Sequence, residues 1–226
     1  MRIRHSVPCL LAAAILLALC PAPRAAPADP SALVTSFNAQ IHRIFADGSL
    51  SVPERRSRFR GVLDQRADFP SISCFVLGNN WQKSGDSFRR EFSRVFEDYV
   101  IQSLSARLAE YSGDTMTVTG TRAEGQHSTV VMTTFAYPSG ALVARVDWRL
   151  RDTPGGFKIV DVSDSGVSLA QTYREEFAAV IAHDGGQVTA LIPDMRQKLD
   201  WREASYSAPG ATRTDAGAMR VSECAP

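Results

Sequence analysis

Residues 86–111 read DSFRREFSRVFEDYVIQSLSARLAEY, with neither proline nor glycine in the run. Phe88, Phe92, Phe96, Val100, Leu104 and Leu108 recur at every fourth position, and Val95, Tyr99 and Tyr111 widen the same stripe. A four-residue apolar period is that of an amphipathic helix burying one broad face. Arginines, glutamates and Asp98 take most of the remaining surface. Ser84-Gly85-Asp86 offers capping oxygens and an acid at the start, and Ser112-Gly113 supplies the stop. The spacing therefore predicts one long helix over 86–111, against which other elements must pack.

Downstream the period shortens to two. Thr115–Arg122, Ser128–Tyr137, Ala141–Arg151 and Phe157–Val162 read as strands, separated by Glu124-Gly125-Gln126, Pro138-Ser139-Gly140 and Thr153-Pro154-Gly155-Gly156. Short turns of that chemistry join antiparallel neighbours, with one face packed and one wet. In the third strand Leu142, Ala144, Val146, Trp148 and Leu150 alternate with Arg145, Asp147, Arg149 and Arg151. Upstream, helical spacing appears over 31–46, where Ser31 is the expected cap. It recurs from Pro53 to about Gln65 and in a short segment opened by Pro70 and closed by Gly78. Trp81 is expected in a loop. Two helices follow the strands, Ser168–His183 and Val188–Trp201. The expected fold is α+β, a four-stranded curved antiparallel sheet wrapped by helices.

The chain has 226 residues and a formal net charge of +1. Its start, with Arg2, Arg4 and His5 before an apolar run from Val7 to Cys20 and small residues after it, reads as a cleaved secretory signal ending near residue 28. Leu17-Ala18-Leu19-Cys20 resembles a lipobox, but Leu19 stands where a small residue is wanted. Removing 1–28 takes Arg2, Arg4 and Arg24 from the 25 Lys+Arg and nothing from the 24 Asp+Glu, leaving a mature charge of about −2. That balance carries no nucleic-acid footprint. The mature domain is placed at 29–201 and residues 202–226, rich in Ala, Ser, Gly, Thr and Arg without period, are expected to be disordered. Of the cysteines, Cys74 and Cys224 remain after export. Cys74 lies in an apolar segment and is expected as a free thiol.

Catalytic constellations are scarce. His42, His127 and His183 have no metal-ligand spacing, and no phosphate loop, nucleophile elbow or zinc motif is present. Asp147 and Asp161 are the two acids that an enzyme on an α+β cone could use as a base. Asp147 sits between Arg145 and Arg149 and reads as part of a charged outer ladder. Asp161 reads as a structural carboxylate capping the next turn. The apolar set is larger: Met116, Val118, Phe135, Val146, Trp148 and Ile159 on strands face helices bearing Phe75, Phe88, Phe92, Phe96 and Tyr99. Periodicity fits both a filled core and a lined pocket.

Several residues together resemble a known family. They are Val76-Leu77-Gly78 through Trp81, then Arg89, Phe92, Phe96, Tyr99, Leu108 and Tyr111-Ser112-Gly113, and after the strands begin Val146 and Trp148. Phe157-Lys158-Ile159-Val160-Asp161-Val162, Gly166-Val167-Ser168, Arg174, Phe177, Leu191-Ile192 and Lys198 complete the pattern. Their order and spacing resemble the MlaC, or toluene-tolerance, family of periplasmic lipid carriers. The likeness spans about residues 31–199. It departs where the family carries Glu at Ser165, often an aromatic at Leu104, and two fewer residues near Asp184–Gln187. The resemblance implies an apolar cavity between sheet and helices holding phospholipid acyl chains, and no cofactor. It also implies a periplasmic carrier docking transiently near membranes, between an inner-membrane ABC transporter complex and an outer-membrane lipoprotein complex. A carrier of another apolar lipid such as a hopanoid, and a lipid-independent adaptor, are the competing binding functions. Facing stripes nominate Phe92, Phe96, Tyr99, Val118, Phe135, Val146 and Trp148 as the lining. Residues 70–81, which include Phe75 and have Trp81 as the latch, are the expected gate over the lipid slot.

Overall fold

A computed structural model of the chain describes residues 29–108 and 115–207, with side chains to residue 201. The expected export signal over 1–28, the expected helix stop at Ser112-Gly113, and the tail from 208 with Cys224 lie outside the described residues.

The element order is α1 (Pro30–Ala46), α2 (Val52–Arg66), α3 (Phe69–Leu77), α4 (Asn79–Lys83) and α5 (Asp86–Leu108). Then come β1 (Thr115–Ala123), β2 (Ser128–Ala136), β3 (Leu142–Thr153), β4 (Gly156–Asp164) and a two-residue β5 (Val167–Ser168). α6 (Leu169–His183), a 3₁₀ turn (Val188–Ala190) and α7 (Leu191–Ser207) close the described chain. The sheet order β1-β2-β3-β4-β5 follows the sequence, and every pairing is antiparallel. The four expected strands are thus present, with β5 added as a short return. Ser165 and Gly166, at φ 51 and 89, turn β4 into β5. Left-handed φ at both central residues is what a tight two-residue hairpin requires. The Ser165 departure therefore falls on an exposed turn.

Helix starts are set by side chains, and two caps differ from expectation. Asp29, not Ser31, caps α1, accepting the Ser31 N–H at 2.9 Å. Ser51 caps α2 in a reciprocal box with Glu54, so the helix begins one residue before Pro53. Asp68 caps α3 by accepting the Ser71 N–H at 3.1 Å. Trp81 is not in a loop: it sits within α4, which is joined to α3 through Gly78 alone. α7 continues as a helix to Ser207, past the boundary expected at 201.

α5 packs against α7, α2 and α3, while α1 lies on β1 and β2, and α2, α3 and α6 meet β4. Ion pairs tie the helices together at the rim: Arg60 reaches Glu97 at 2.6 Å and also Asp98, and Arg196 reaches Glu91 at 2.9 Å. The core runs from Val34 and Phe37 on α1 through Phe92 and Phe96 on α5 to Phe177 on α6 and Met195 on α7. Each fully buried Phe contributes about 1.5–3 kcal/mol of transfer free energy.

Candidate functional site

The sheet face turned toward α1 is built in rows, because residues paired across antiparallel strands point to the same side. One end of it is packed: Leu150 pairs with Ile159, and Val131 with Trp148, and all four are buried. The Trp148 ring meets Phe37 of α1 edge-on, centroids 5.5 Å apart. The next row, Val118–Thr133–Val146, is half-buried at its two aliphatic members and runs out to the exposed Asp164 on β4. The row after it, Met116–Phe135–Ala144, is half-buried throughout. Beyond that the register shifts, and Leu142, 54% exposed, pairs with Ala136 on the opposite side of the sheet. The face therefore grades from closed core to half-buried apolar surface along the strands.

Thr133 holds the middle of this face. It is 1% exposed, donates its hydroxyl to the Val146 carbonyl at 2.7 Å and accepts the Trp148 indole N–H at 3.1 Å. Both polar groups are thereby satisfied without water, and the face stays apolar around them. Sequence alternation gave no reason to single out Thr133, because β2 is mildly apolar on both sides. Val130, on the opposite side, is also buried at 3% exposure, in register with Arg122 and Arg149. Bulges adjust the register at three places, between Val118 and Gly120, Phe135 and Ala136, and Arg149 and Leu150.

Of the residues expected to line one pocket, Val118, Phe135, Val146 and Trp148 share this face. Phe92, Phe96 and Tyr99 belong to the same continuous core but have their ring neighbours on the helices. Phe88, Phe92 and Phe96 stack along α5 at 6.0 and 5.6 Å. Their other neighbours are α6 rings: Phe92–Phe177 at 5.8 Å, Phe96–Tyr173 at 5.4 Å and Tyr99–Tyr173 at 5.8 Å. Phe92 and Phe96 are fully enclosed. A four-residue stripe identifies the buried side of α5, but not which element buries it.

The two expected gate residues lie under cations. Phe75 is 43% exposed, with the Arg174 guanidinium 5.2 Å over its ring, and Trp81 lies 5.6 Å beneath that of Arg89. Arg89 also donates to the Trp81 carbonyl at 2.8 Å. Cys74 is a free, half-buried thiol.

Of the two acids considered as a base, Asp161 is placed by the bulge at Val160, which puts it opposite Arg149 while Ile159 pairs with Leu150. Asp161 is 6% exposed and fully engaged. It accepts the N–H groups of Val162 and Ala170 at 2.8 and 3.0 Å, the Ser168 hydroxyl at 2.6 Å and Arg149 at 3.3 Å. It is the structural cap expected from the sequence. Asp147 pairs with Met132 and Ser163, away from the apolar rows.

Other charges anchor helices. Burial opposes ionisation of Asp68, but the Ser71 N–H and Arg151 together hold its carboxyl below the ordinary range. Burial and the neighbouring Asp64 push Glu97 up, against the pull of Arg60. Burial would lower Lys198, yet Glu176 and Asp194 raise it on balance. Among the described residues no group of three or more His, Cys, Asp or Glu is placed to hold a metal.

Two hollows lie away from the sheet face. A half-open cavity of about 190 Å³ lies between α3, α4 and α6. An open groove of about 540 Å³ runs between α1 and α2, edged by Arg43, Asp47 and Arg58 over Ile44 and Val62.

The sequence profile of the family described as "MlaC protein" matches residues 35–197. Among solved structures, the chain is similar to a phospholipid-binding protein from Ralstonia solanacearum, solved in complex with a phospholipid. The two are 27% identical with a TM-score of 0.64, covering 80% of this chain and 100% of the other.

Proposed function

The chain belongs to the MlaC family, and on that premise we propose that it binds a phospholipid by its acyl chains and carries it through an aqueous compartment. The observation that carries this reading is the half-open apolar face formed by Val118, Phe135 and Val146 beside packed Trp148. Drawing an acyl chain of about fifteen methylenes into water costs roughly 12 kcal/mol, at about 0.8 kcal/mol per CH₂. A carrier must offset that cost with a dry surface that is accessible from one end. A face graded from closed to half-buried has this character, and few polar groups on it would hinder release. The likeness to a structure holding a phospholipid supports the same cargo.

The commitment of Asp161 to the start of α6 supports binding in preference to catalysis. The finer reading is that the protein works in the periplasm after export, taking lipid from an outer-membrane lipoprotein complex and delivering it to an inner-membrane ABC transporter complex. Its role there would be to maintain the lipid asymmetry of the outer membrane. Protein purified from a periplasm should yield phospholipid on organic extraction and native mass spectrometry. Lipid-free protein that also takes up nothing from phospholipid vesicles overturns the proposal. Extraction of a hopanoid in place of phospholipid would redirect it to the sibling cargo.

A further inference from the structure

The cavity between α3, α4 and α6 combines an apolar wall with an unneutralised cation. Its wall is Val76, Leu77, Phe177 and Ile181, all buried core residues, with Asn79, Asn80 and Arg174 at the polar end. Gly78 shapes that end. Its φ of 54 is left-handed, and a Cβ there would stand 2.7 Å from the Arg174 Nη2. Glycine therefore lets the guanidinium lie against the α3–α4 joint.

Arg174 has five N–H donors. Nη1 donates to the Phe75 carbonyl at 3.0 Å, and the plane covers the Phe75 ring. Among the described residues Arg174 forms no ion pair: neighbouring Glu176 pairs with Lys198, and Glu175 accepts from Gln171. A guanidinium fixed by one carbonyl and one ring, with its other donors free, is preorganised for an oxyanion.

Size narrows the occupant. About 190 Å³ is somewhat more than the roughly 150 Å³ of an apolar cavity that admits benzene. It falls below the roughly 300–1,000 Å³ usual for drug-sized ligands, and so is too small for a diacyl lipid. We infer that this cavity is a second binding site, for a small amphiphile with one short alkyl chain and an anionic oxygen head. The chain lies against Val76, Leu77, Phe177 and Ile181, and the head meets Arg174 with the amides of Asn79 and Asn80. None of these residues is on the sheet, so the site is separate from the proposed phospholipid face.

The test uses the purified full chain and two probes, octanoate and octyl phosphate, titrated by calorimetry. Arg174→Gln removes the charge. Ala178→Phe fills the cavity from an exposed position, where the core need not rearrange. Saturable one-to-one binding of either probe, weakened about tenfold or more by each substitution, is the expected result. Preference for octanoate identifies a carboxylate ligand, and preference for octyl phosphate a phosphate ester. Phospholipid retention should be unchanged in both variants. The inference is overturned if neither probe saturates, or if Ala178→Phe with an unaltered circular-dichroism melt binds as the parent does. It is equally overturned if both variants lose phospholipid, since the cavity would then be part of the carrier site.

Discussion

Single residues determine whether the apolar face stays dry. Thr133 is the clearest case, since its one hydroxyl serves both the Trp148 N–H and the Val146 carbonyl. Thr133→Val keeps the shape but strands a buried indole N–H, so it should cost about 1–3 kcal/mol. Urea midpoints of the two proteins measure it. Asp68 sets an acid-side dependence. Its folded value lies below the ordinary one because the Ser71 N–H and Arg151 outweigh the burial that pushes it up. The stability it contributes is therefore complete above the unfolded carboxylate value of about 3.9, and is lost as pH falls through the lower folded value. In Asp68→Asn the fall in stability across that acid window should be shallower. Stability against pH, followed by denaturant titration, would show it.

At the scale of elements, joints and packing partners matter more than propensities. α3 and α4 meet at Gly78, whose φ of 54 is strained for any side chain and whose Cβ position the Arg174 guanidinium crowds. Gly78→Ala should destabilise by about 1–3 kcal/mol through backbone strain, plus whatever displacing Arg174 adds. A thermal melt of the variant checks this. α5 presents another consequence. Phe96 is fully enclosed among Phe92, Tyr173 and Phe177, so Phe96→Ala should cost about 3–5 kcal/mol. Because those rings come from α5 and α6, lipid retention per folded molecule should be unchanged. Retention lost in step with the substitution, in protein that remains folded, would place Phe96 in the lining.

For the whole molecule, the proposed carrier role depends on the apolar sheet face being only half-buried at one end. A photoreactive acyl chain should label Val118, Phe135 and Val146, and spare Arg145 and Thr117, which pair with Thr134 on the other side of β2. Labelling of the two controls alone would refute the assignment. Labelling confined to Phe92 and Phe96 would place the chains among the helices instead.

Local periodicity and turn chemistry were enough to establish most elements and their order, missing only α4 around Trp81, the short 3₁₀ turn and the two-residue β5. The four-residue stripe of 86–111, the alternation in 142–150 and the Gly- and Pro-bearing turns each act over a few residues, and so they can be read along the chain. The structural role of Asp161 as a cap for the next turn was legible too, although the bulge at Val160 turns it to the side opposite Ile159. Tertiary structure alone decided what each apolar stripe faces. Phe92, Phe96 and Tyr99 found α6, while Trp148 found Phe37 on α1, because a helical stripe specifies burial without specifying a partner. Register was hidden for a similar reason: one inserted residue, such as Val160, reverses which side of a strand its successors occupy. The juncture of Gly78 with Arg174 lies beyond any local pattern. It unites residues almost a hundred positions apart, as the 99-residue separation between Arg174 and the Phe75 carbonyl shows.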